Sequence, residues 1–423
     1  MPAIEQRRAE HILQPLQLPC HRRLCQRQAA RDFLDRTLLS EERESAKFLQ
    51  HQSCFICIII LIIMNLKSNA AQAIFLPTLQ SKEAKMRAIE LQAPGGIENL
   101  KLVERPMPVP GRQEILIKVK ASALNYRDVE IARGSYHTKF DLPLVLLSDG
   151  VGEVAAVGAE VSRFKAGDRV CGTFWQRWVA GSFVMAEASY QRGGPIDGML
   201  SEYALLDEQA AVLAPAHLSD LEAATLACAG VTAWHALFTE GKLRPGETVL
   251  TLGTGGVSLF AVQLARTAGA RVIVTSSSDE KLARAKELGA HEGVNYRDNP
   301  DWAEAVLALT DGRGADHIIE VGGPQSFAQS LKTAARGAQI NVIGYLGGSD
   351  GSINPLDIFR RQVTARGIPV GSRQSFEAMN RAIAVNGLRP VIDKVFAWHE
   401  AASALRYLEH GSPFGKVVLD HMR

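Results

Sequence analysis

The sequence predicts an α/β protein with a β-rich first part, a doubly wound parallel sheet of six strands, and a tail that returns to the first part. Three observations carry this. Residues 248–278 read as strand, glycine turn, helix and second strand. Apolar strand-like runs then alternate with helical patterns as far as residue 370, the rhythm of parallel crossovers. Between residues 86 and 214, short apolar or alternating runs are separated by proline and glycine instead.

Residues 1–85 stand apart. The first fifty are rich in Arg, Gln and Glu, and Pro15 and Pro19 break any long helix. The apolar run Cys54–Met64 is too short to span a bilayer comfortably. Ala71-Gln72-Ala73 resembles a signal-peptide cleavage site, but the run lies far from Met1. The expectation is a poorly ordered extension, or a start assigned too far upstream. The β-rich part is expected over 86–214. Its strands fall at Arg87–Leu91, Leu100–Glu104, Glu114–Ala123, Gly150–Gly158, Arg169–Gly172 and Leu200–Leu206. Pro106, Pro108 and Pro110 form a turn-rich connector, and 174–200 is a longer loop rich in aromatics.

After Pro215 the rhythm changes. Ser219 and Glu222 make a capping box. Over 215–370, strands are expected at Thr248–Leu252, Arg271–Ser276, Gly293–Tyr296, Asp316–Val321, Gln339–Gly344 and Val363–Val370. Helices are expected at Val257–Ala268, Asp279–Leu288, Asp301–Leu309, Gln325–Ala335 and Pro355–Arg361. The tail, 371–423, reads as helix, strand, helix and strand, folding back onto the first part.

Composition sets the broad class. Of 423 residues, 46% are hydrophobic and 22% charged, an ordinary globular mixture, and the net charge of +2 implies neither a nucleic-acid partner nor an acidic surface. No membrane partner is expected. The cysteines are Cys20, Cys25, Cys54, Cys57, Cys171 and Cys228, which is no disulfide framework and suits a reducing, cytoplasmic setting.

The glycine turn carries the first chemistry. Gly253 permits a sharp turn, and Gly255 lets backbone approach a pyrophosphate. The helix opening at Gly256 and Val257 offers unpaired N–H groups to the anion. Thr254 lies inside the turn, and Ser258 stands where a third glycine is usual. The context makes this a dinucleotide site rather than a structural turn.

These residues resemble the medium-chain dehydrogenase/reductase superfamily across 86–423. The likeness is carried by SALNYRDVEIARGSY (122–136), SDGVGEVAAVG (148–158), FKAGDRV (164–170), CAGVTAW (228–234), the glycine turn and FGKVVL (414–419). The resemblance implies a GroES-like catalytic domain, completed by the tail, around an inserted Rossmann domain. The active site would lie in the cleft between them. Zinc-dependent members carry ligands at positions matched here by Asn125 or nearby, Ser148 and Cys228. One thiol cannot hold a catalytic zinc, and Cys171 alone cannot build a four-cysteine lobe, so no metal is expected.

Without a Lewis acid, hydride transfer to an activated double bond or quinone is favoured over alcohol oxidation. Zinc-free reductases of the superfamily place an Asn-x-x-Asp pair near the nicotinamide, matched by Asn125 and Asp128. The bland alternative is that Asn125 caps a turn and Asp128 pairs with Arg127 or Arg169. Tyr136 matches a tyrosine of the enoyl reductases that hydrogen-bonds a developing enolate and donates a proton. It could equally wall the cleft. Thr232 is expected against the nicotinamide, and Trp175 and Trp178 either line the substrate pocket or simply pack the loop.

At the second strand's tip, Ser276, Ser277 and Ser278 replace the carboxylate that an NAD site uses. Lys281 and Tyr296 match positions that contact a 2′-phosphate, so NADPH is expected over NADH. Lys281 as a solvated helix charge is the alternative. The substrate expected is a small electrophile, and superfamily members often pair through the strand matching Val363–Val370, giving a homodimer. An alcohol or aldehyde dehydrogenase on the same fold, or a non-catalytic NADPH-binding protein, are the rival readings.

Overall fold

The computed structural model describes residues 84–423, apart from 349 and 412. The expectations for the extension, including Cys54–Met64 and Ala71-Gln72-Ala73, lie outside the described residues. Among the described residues, no helix is long and apolar enough to cross a membrane.

The β-rich part begins with β1 (Lys85–Leu91), antiparallel to β2 (Leu100–Pro106). The central strand is β3 (Glu114–Ala123), whose buried Ile115, Leu116, Ile117 and Val119 anchor the sheet. Helix α1 (Tyr126–Arg133) follows it directly, ended by Gly134 at φ 78°, a left-handed cap that glycine adopts without strain. Next come β4 (Leu144–Val145), β5 (Asp149–Val157), β6 (Arg169–Gly172), β7 (Tyr203–Asp207) and β8 (Ala211–Leu213). Strand β4 joins the sheet of β1 and β2, whereas β5 and β7 flank β3.

The expected strand at Leu200–Leu206 starts late, at Tyr203. Gly198, Met199 and Leu200 donate their N–H groups to the carbonyls of Val145, Leu147 and Leu146 instead. The sequence reading missed β4 and β8, which are too short to show a period.

A helical stretch from Asp220 to Glu240 leads into the second sheet. Its start has the expected capping box: Ser219 N–H donates to Glu222 Oε2 at 2.8 Å, and Glu222 N–H to Ser219 Oγ at 3.3 Å. The sheet contains β9 (Thr248–Leu252), β10 (Arg271–Ser276), β11 (Glu292–Asn295), β12 (Ala315–Glu320), β13 (Ala334–Val342) and β14 (Thr364–Gly367). Its order is β11-β10-β9-β12-β13-β14, parallel throughout, with the topological switch between β9 and β12. All five residues of β9 are buried, as a strand covered on both faces requires.

The crossovers include α2 (Gly256–Thr267), α3 (Asp279–Glu287), α4 (Trp302–Leu309), α5 (Pro324–Thr333) and α6 (Pro355–Arg361). The last strand is shorter than the expected Val363–Val370. Pro369 has no N–H to give the ladder, and Val370 turns the chain at φ 64°. All four residues of β14 are exposed at the sheet edge.

The tail supplies α7 (Arg373–Val385), β15 (Ile392–Ala397), α8 (Ala401–Gly411) and β16 (Lys416–Asp420). Strand β16 enters the first sheet antiparallel to β3, with Val418 opposite Ala123 and Leu419 opposite Ser122. That register sets Lys416 beside the segment joining β3 to α1.

Candidate active site between the two sheets

The glycine turn leaves β9 at Gly253, whose φ of 72° favours glycine, and Gly253 N–H bonds to Thr275 O at 2.9 Å. A Cβ at Gly253 or Gly255 would meet nothing within 4 Å, so the turn opens onto space. Gly255 caps α2 without a side-chain partner, leaving the first amides of that helix for an anion. Thr254 is buried, Val257 half-buried, and Ser258 donates its hydroxyl to Leu252 O at 2.7 Å. The serine in place of the third glycine thus fastens helix to strand. A dinucleotide pyrophosphate fits this cradle.

At the tip of β10, Ser276 is buried and its Oγ accepts from Ser278 N–H at 3.4 Å. Ser278 caps α3, accepting from Lys281 N–H at 3.3 Å. Ser277 and Lys281 are half-buried beside it, and Tyr296 is 41% exposed. Five expected residues therefore share one strand-end surface. Asp279 is there too, its carboxylate accepting from Asn295 Nδ2 at 2.9 Å.

The FGKVVL segment meets the glycine turn from the other sheet. Gly415 N–H donates to Thr254 O at 3.0 Å. The Lys416 stem lies over Gly256, where a Cβ would sit 2.7 Å from Lys416 Cδ. Lys416 is buried, and its ammonium donates to Leu124 O at 2.6 Å and Asn125 Oδ1 at 2.5 Å. It lies 3.6 Å from Asp149 Oδ2. Ser148 Oγ donates to Asp149 Oδ1 at 2.9 Å, and Asn125 Nδ2 reaches Ser148 Oγ at 3.4 Å.

Asp128 sits fully buried below this cluster. Its Oδ2 accepts from Asn125 N–H at 2.7 Å, while Oδ1 has no hydrogen-bond partner and lies 3.9 Å from Arg127 Nη1. Burial pushes its carboxyl up to about 6, although the Arg127 guanidinium opposes the shift. Asn125 caps α1, and Asp128 serves the cap and faces Arg127, so the blander reading of this pair describes real contacts. The Asn125 side chain nevertheless points into the cluster.

Cys228 faces the same cluster, and burial, reinforced by Asp149, pushes its thiol up to about 12. Thr232 is buried, its hydroxyl donated to Cys228 O at 2.7 Å. Zinc demands thiolate, imidazole or carboxylate donors in a tetrahedron. Of the three matching positions only Cys228 offers a donor of that kind, since Asn125 brings an amide and Ser148 a hydroxyl, and an ammonium already holds Asn125 Oδ1. Among the described residues, no group of three His, Cys, Asp or Glu is placed to hold a metal ion.

Tyr136 lies on the same side, half-buried. Its hydroxyl donates to Gln191 Oε1 at 3.0 Å and accepts from Arg127 Nε at 3.3 Å. Arg127 is itself buried, stacks on Tyr136 and Phe174, and donates to Gln191 Oε1 and to the carbonyls of Arg192 and Gly194. Tyr345, just beyond β13, faces Glu130 of α1, and burial, reinforced by Glu130, raises its hydroxyl above the ordinary value.

Trp175 and Trp178 make the packing contacts that the sequence left as one of their two readings. Trp175 donates to Pro369 O at 2.6 Å, and Trp178 meets the buried His235 edge-on. Both are buried and seat the 174–200 loop against the start of the tail. Sequence reasoning missed Gln191, Asp149, Lys416 and Tyr345 as site residues. Asp149 and Lys416 lie inside motifs it had singled out, whereas nothing local marks Gln191 or Tyr345.

Comparison with known proteins agrees with this architecture. The family profile described as alcohol dehydrogenase GroES-like domain matches residues 111–216, and that described as zinc-binding dehydrogenase matches 256–384. A zinc-type alcohol dehydrogenase-like protein of Schizosaccharomyces pombe is 43% identical over 334 residues, covering 77% of this chain and 96% of that protein. A quinone oxidoreductase of Mus musculus is 32% identical over 344 residues, covering 79% and 97%. The crystal structure of an NAD-dependent alcohol dehydrogenase superposes with a TM-score of 0.73 at 36% identity, covering 79% of this chain and 99% of that one. A β-rich GroES-like part, a six-stranded Rossmann sheet and a glycine turn aimed into the cleft between them make this chain a nicotinamide-dependent oxidoreductase of the medium-chain dehydrogenase/reductase superfamily.

Proposed function

We propose that the protein is a zinc-independent, NADPH-dependent reductase of quinones or α,β-unsaturated carbonyl compounds. One observation carries this: Asn125, tied through Lys416 to the glycine turn, and Tyr136, held on Arg127 of the helix that Asn125 caps, are hydrogen-bonding groups suited to an acceptor oxygen, and the residues matching a metal's ligands are an amide, a hydroxyl and one thiol. A bound dihydronicotinamide supplies hydride to an electron-poor carbon. Charge then collects on the acceptor oxygen, which donors at Asn125 and Tyr136 stabilise before a proton completes the reduction. An alcohol has no such conjugated oxygen, and its deprotonation gains most from a Lewis acid. The mouse quinone oxidoreductase likeness supports the acceptor class.

NADPH is favoured by the three serines and Lys281 on the β10 tip, which supply hydroxyls and a cation for a phosphate dianion. The exposed edge strand β14, flanked by Phe359 at 77% and Leu346 at 57% exposure, is the surface through which two copies would pair. Light scattering of the purified chain tests that pairing: a monomer at micromolar concentration rules it out.

The decisive experiment is a steady-state screen with both cofactors. 9,10-Phenanthrenequinone and simple enones are set against simple alcohols, alongside metal analysis of the same preparation. Turnover of quinone or enone with NADPH is expected. One equivalent of zinc per chain, with turnover of alcohols only, would replace this reading with that of a metal-dependent dehydrogenase.

A further inference from the structure

We propose that Lys416 is the positioning residue that aims and polarises the Asn125 side-chain amide toward the acceptor oxygen, a cation tethered to the chain where metal-dependent relatives use an ion. The inference rests on the reductase reading above and specifies how its oxygen site is built.

The geometry runs from the ammonium outward. An ammonium has three N–H donors and no acceptor. Here two are given to Leu124 O and Asn125 Oδ1, and Asp149 Oδ2, which has no hydrogen-bond partner, lies 3.6 Å away for the third. Every donor thus faces a protein oxygen. The Lys416 side chain is buried and is committed to this cluster rather than to solvent.

That commitment orients Asn125. An amide alone can point either way, but an ammonium on Oδ1 fixes the oxygen inward and turns Nδ2 the other way. Nδ2 carries two hydrogens, and among the described residues its hydrogen bond is the long one to Ser148 Oγ at 3.4 Å. One N–H is therefore left for an incoming oxygen. A charged donor on the amide oxygen also strengthens the amide's own N–H as a donor.

The same lysine ties the oxygen site to the cofactor turn. Its stem covers Gly256 at the start of α2, and its neighbour Gly415 bonds to Thr254. The two-residue segment Gly415–Lys416 therefore holds the amide donor and the pyrophosphate cradle in one fixed relation. A purely structural role, in which Lys416 merely neutralises Asp149, would leave Asn125 orientation and acceptor chemistry untouched.

Lys416→Met keeps the apolar stem over Gly256 and removes the charge, and Lys416→Arg keeps a cation. The expected result is a folded Lys416→Met variant that binds dihydronicotinamide within about twofold of wild type by fluorescence. Its kcat on an unactivated enone falls by about 100-fold, the scale of losing one oxyanion donor. The loss is smaller on an electron-poor quinone, which needs less polarisation. Lys416→Arg recovers most of the activity, and adding Asn125→Ala to Lys416→Met costs little more, because the two act as a unit. Retained kcat in Lys416→Met, or fully additive losses, overturns the proposal.

A second measurement needs no substrate. In asparagine-labelled protein, the Asn125 side-chain NH2 resonance, identified by its loss in Asn125→Asp, is expected to move in Lys416→Met and hold in Lys416→Arg. An unmoved resonance overturns the proposal even where wild type reduces no acceptor. In that case the reductase reading fails separately, on the wild-type assay alone.

Discussion

Oε1 of Gln191 accepts two donors at 3.0 Å, the hydroxyl of Tyr136 and Nη2 of Arg127. Gln191 cannot flip without loss, because its Nε2 donates to Thr138 Oγ1 and Ala188 O. The Tyr136 proton therefore points inward, and its oxygen already accepts from Arg127. To donate to substrate, Tyr136 must exchange Gln191 for the acceptor oxygen. Tyr136→Phe is expected to lower kcat by about tenfold or more on enones while leaving the cofactor KM unchanged. Gln191→Leu frees the hydroxyl but strands Arg127 and Thr138, so thermal melting should show a loss of about 1–3 kcal/mol. Full turnover by Tyr136→Phe would remove Tyr136 from the chemistry.

Asp128 makes stability fall as pH rises. Its folded carboxyl is pushed up to about 6 by burial, above the ordinary value of 3.8. Between those values the folded state holds a proton that the unfolded chain has lost, so the cost of the buried charge appears across this window and is complete above it. Asp128→Asn keeps an oxygen acceptor for the Asn125 amide and removes the charge. It should stabilise the fold by about 2 kcal/mol at neutral pH and by nothing below about pH 4. Melting curves of both proteins across that range check it, and a pH-independent difference would contradict it.

His421 acts at the acid end with the opposite sign. It is half-buried, bonded to Ser122 Oγ at 2.8 Å and stacked on Trp398. Burial holds its imidazole down to about 3, against an ordinary 6.5. The neutral ring is compatible with the fold, so stability is retained above the unfolded value and lost as pH falls from 6.5 toward 3. Replacing His421 with Gln should flatten the acid limb of the stability profile by a few kcal/mol. An unchanged limb would show that other groups govern acid unfolding.

Cofactor choice can be read at Lys281. Lys281→Ala should raise the KM for NADPH by about tenfold, the scale of one charge-assisted phosphate contact, and leave that for NADH near wild type. Equal changes for both cofactors would place Lys281 outside the 2′-phosphate site. The Asp279 carboxylate on the same strand end makes this a sharp test, since it is the group a ribose diol would prefer.

Much of this was legible locally. Strands β3, β6, β9 and β10 begin and end where the sequence places them, because strand-like runs bounded by polar or turn-forming residues are a local signal. The glycine turn was legible because its conformation is set by the residues themselves. Element ends shifted where competition was tertiary: Pro369 and Val370 shortened β14, and Gly198–Leu200 bonded to another strand. The tryptophans of the 174–200 loop show the same limit, since a large apolar side chain does not reveal which surface it will cover.

The sequence by itself determined the β-rich part, the parallel sheet and the glycine turn that opens it. Periodicity, turn chemistry and donor chemistry are local properties, and a chain carries them in order. Tertiary structure alone decided which groups share the site. Lys416 and Asn125 lie 291 positions apart, and Tyr136 and Gln191 lie 55 apart. Both pairs meet because β16 docks beside β3 and the 174–200 loop folds back over α1, arrangements fixed by packing and strand register.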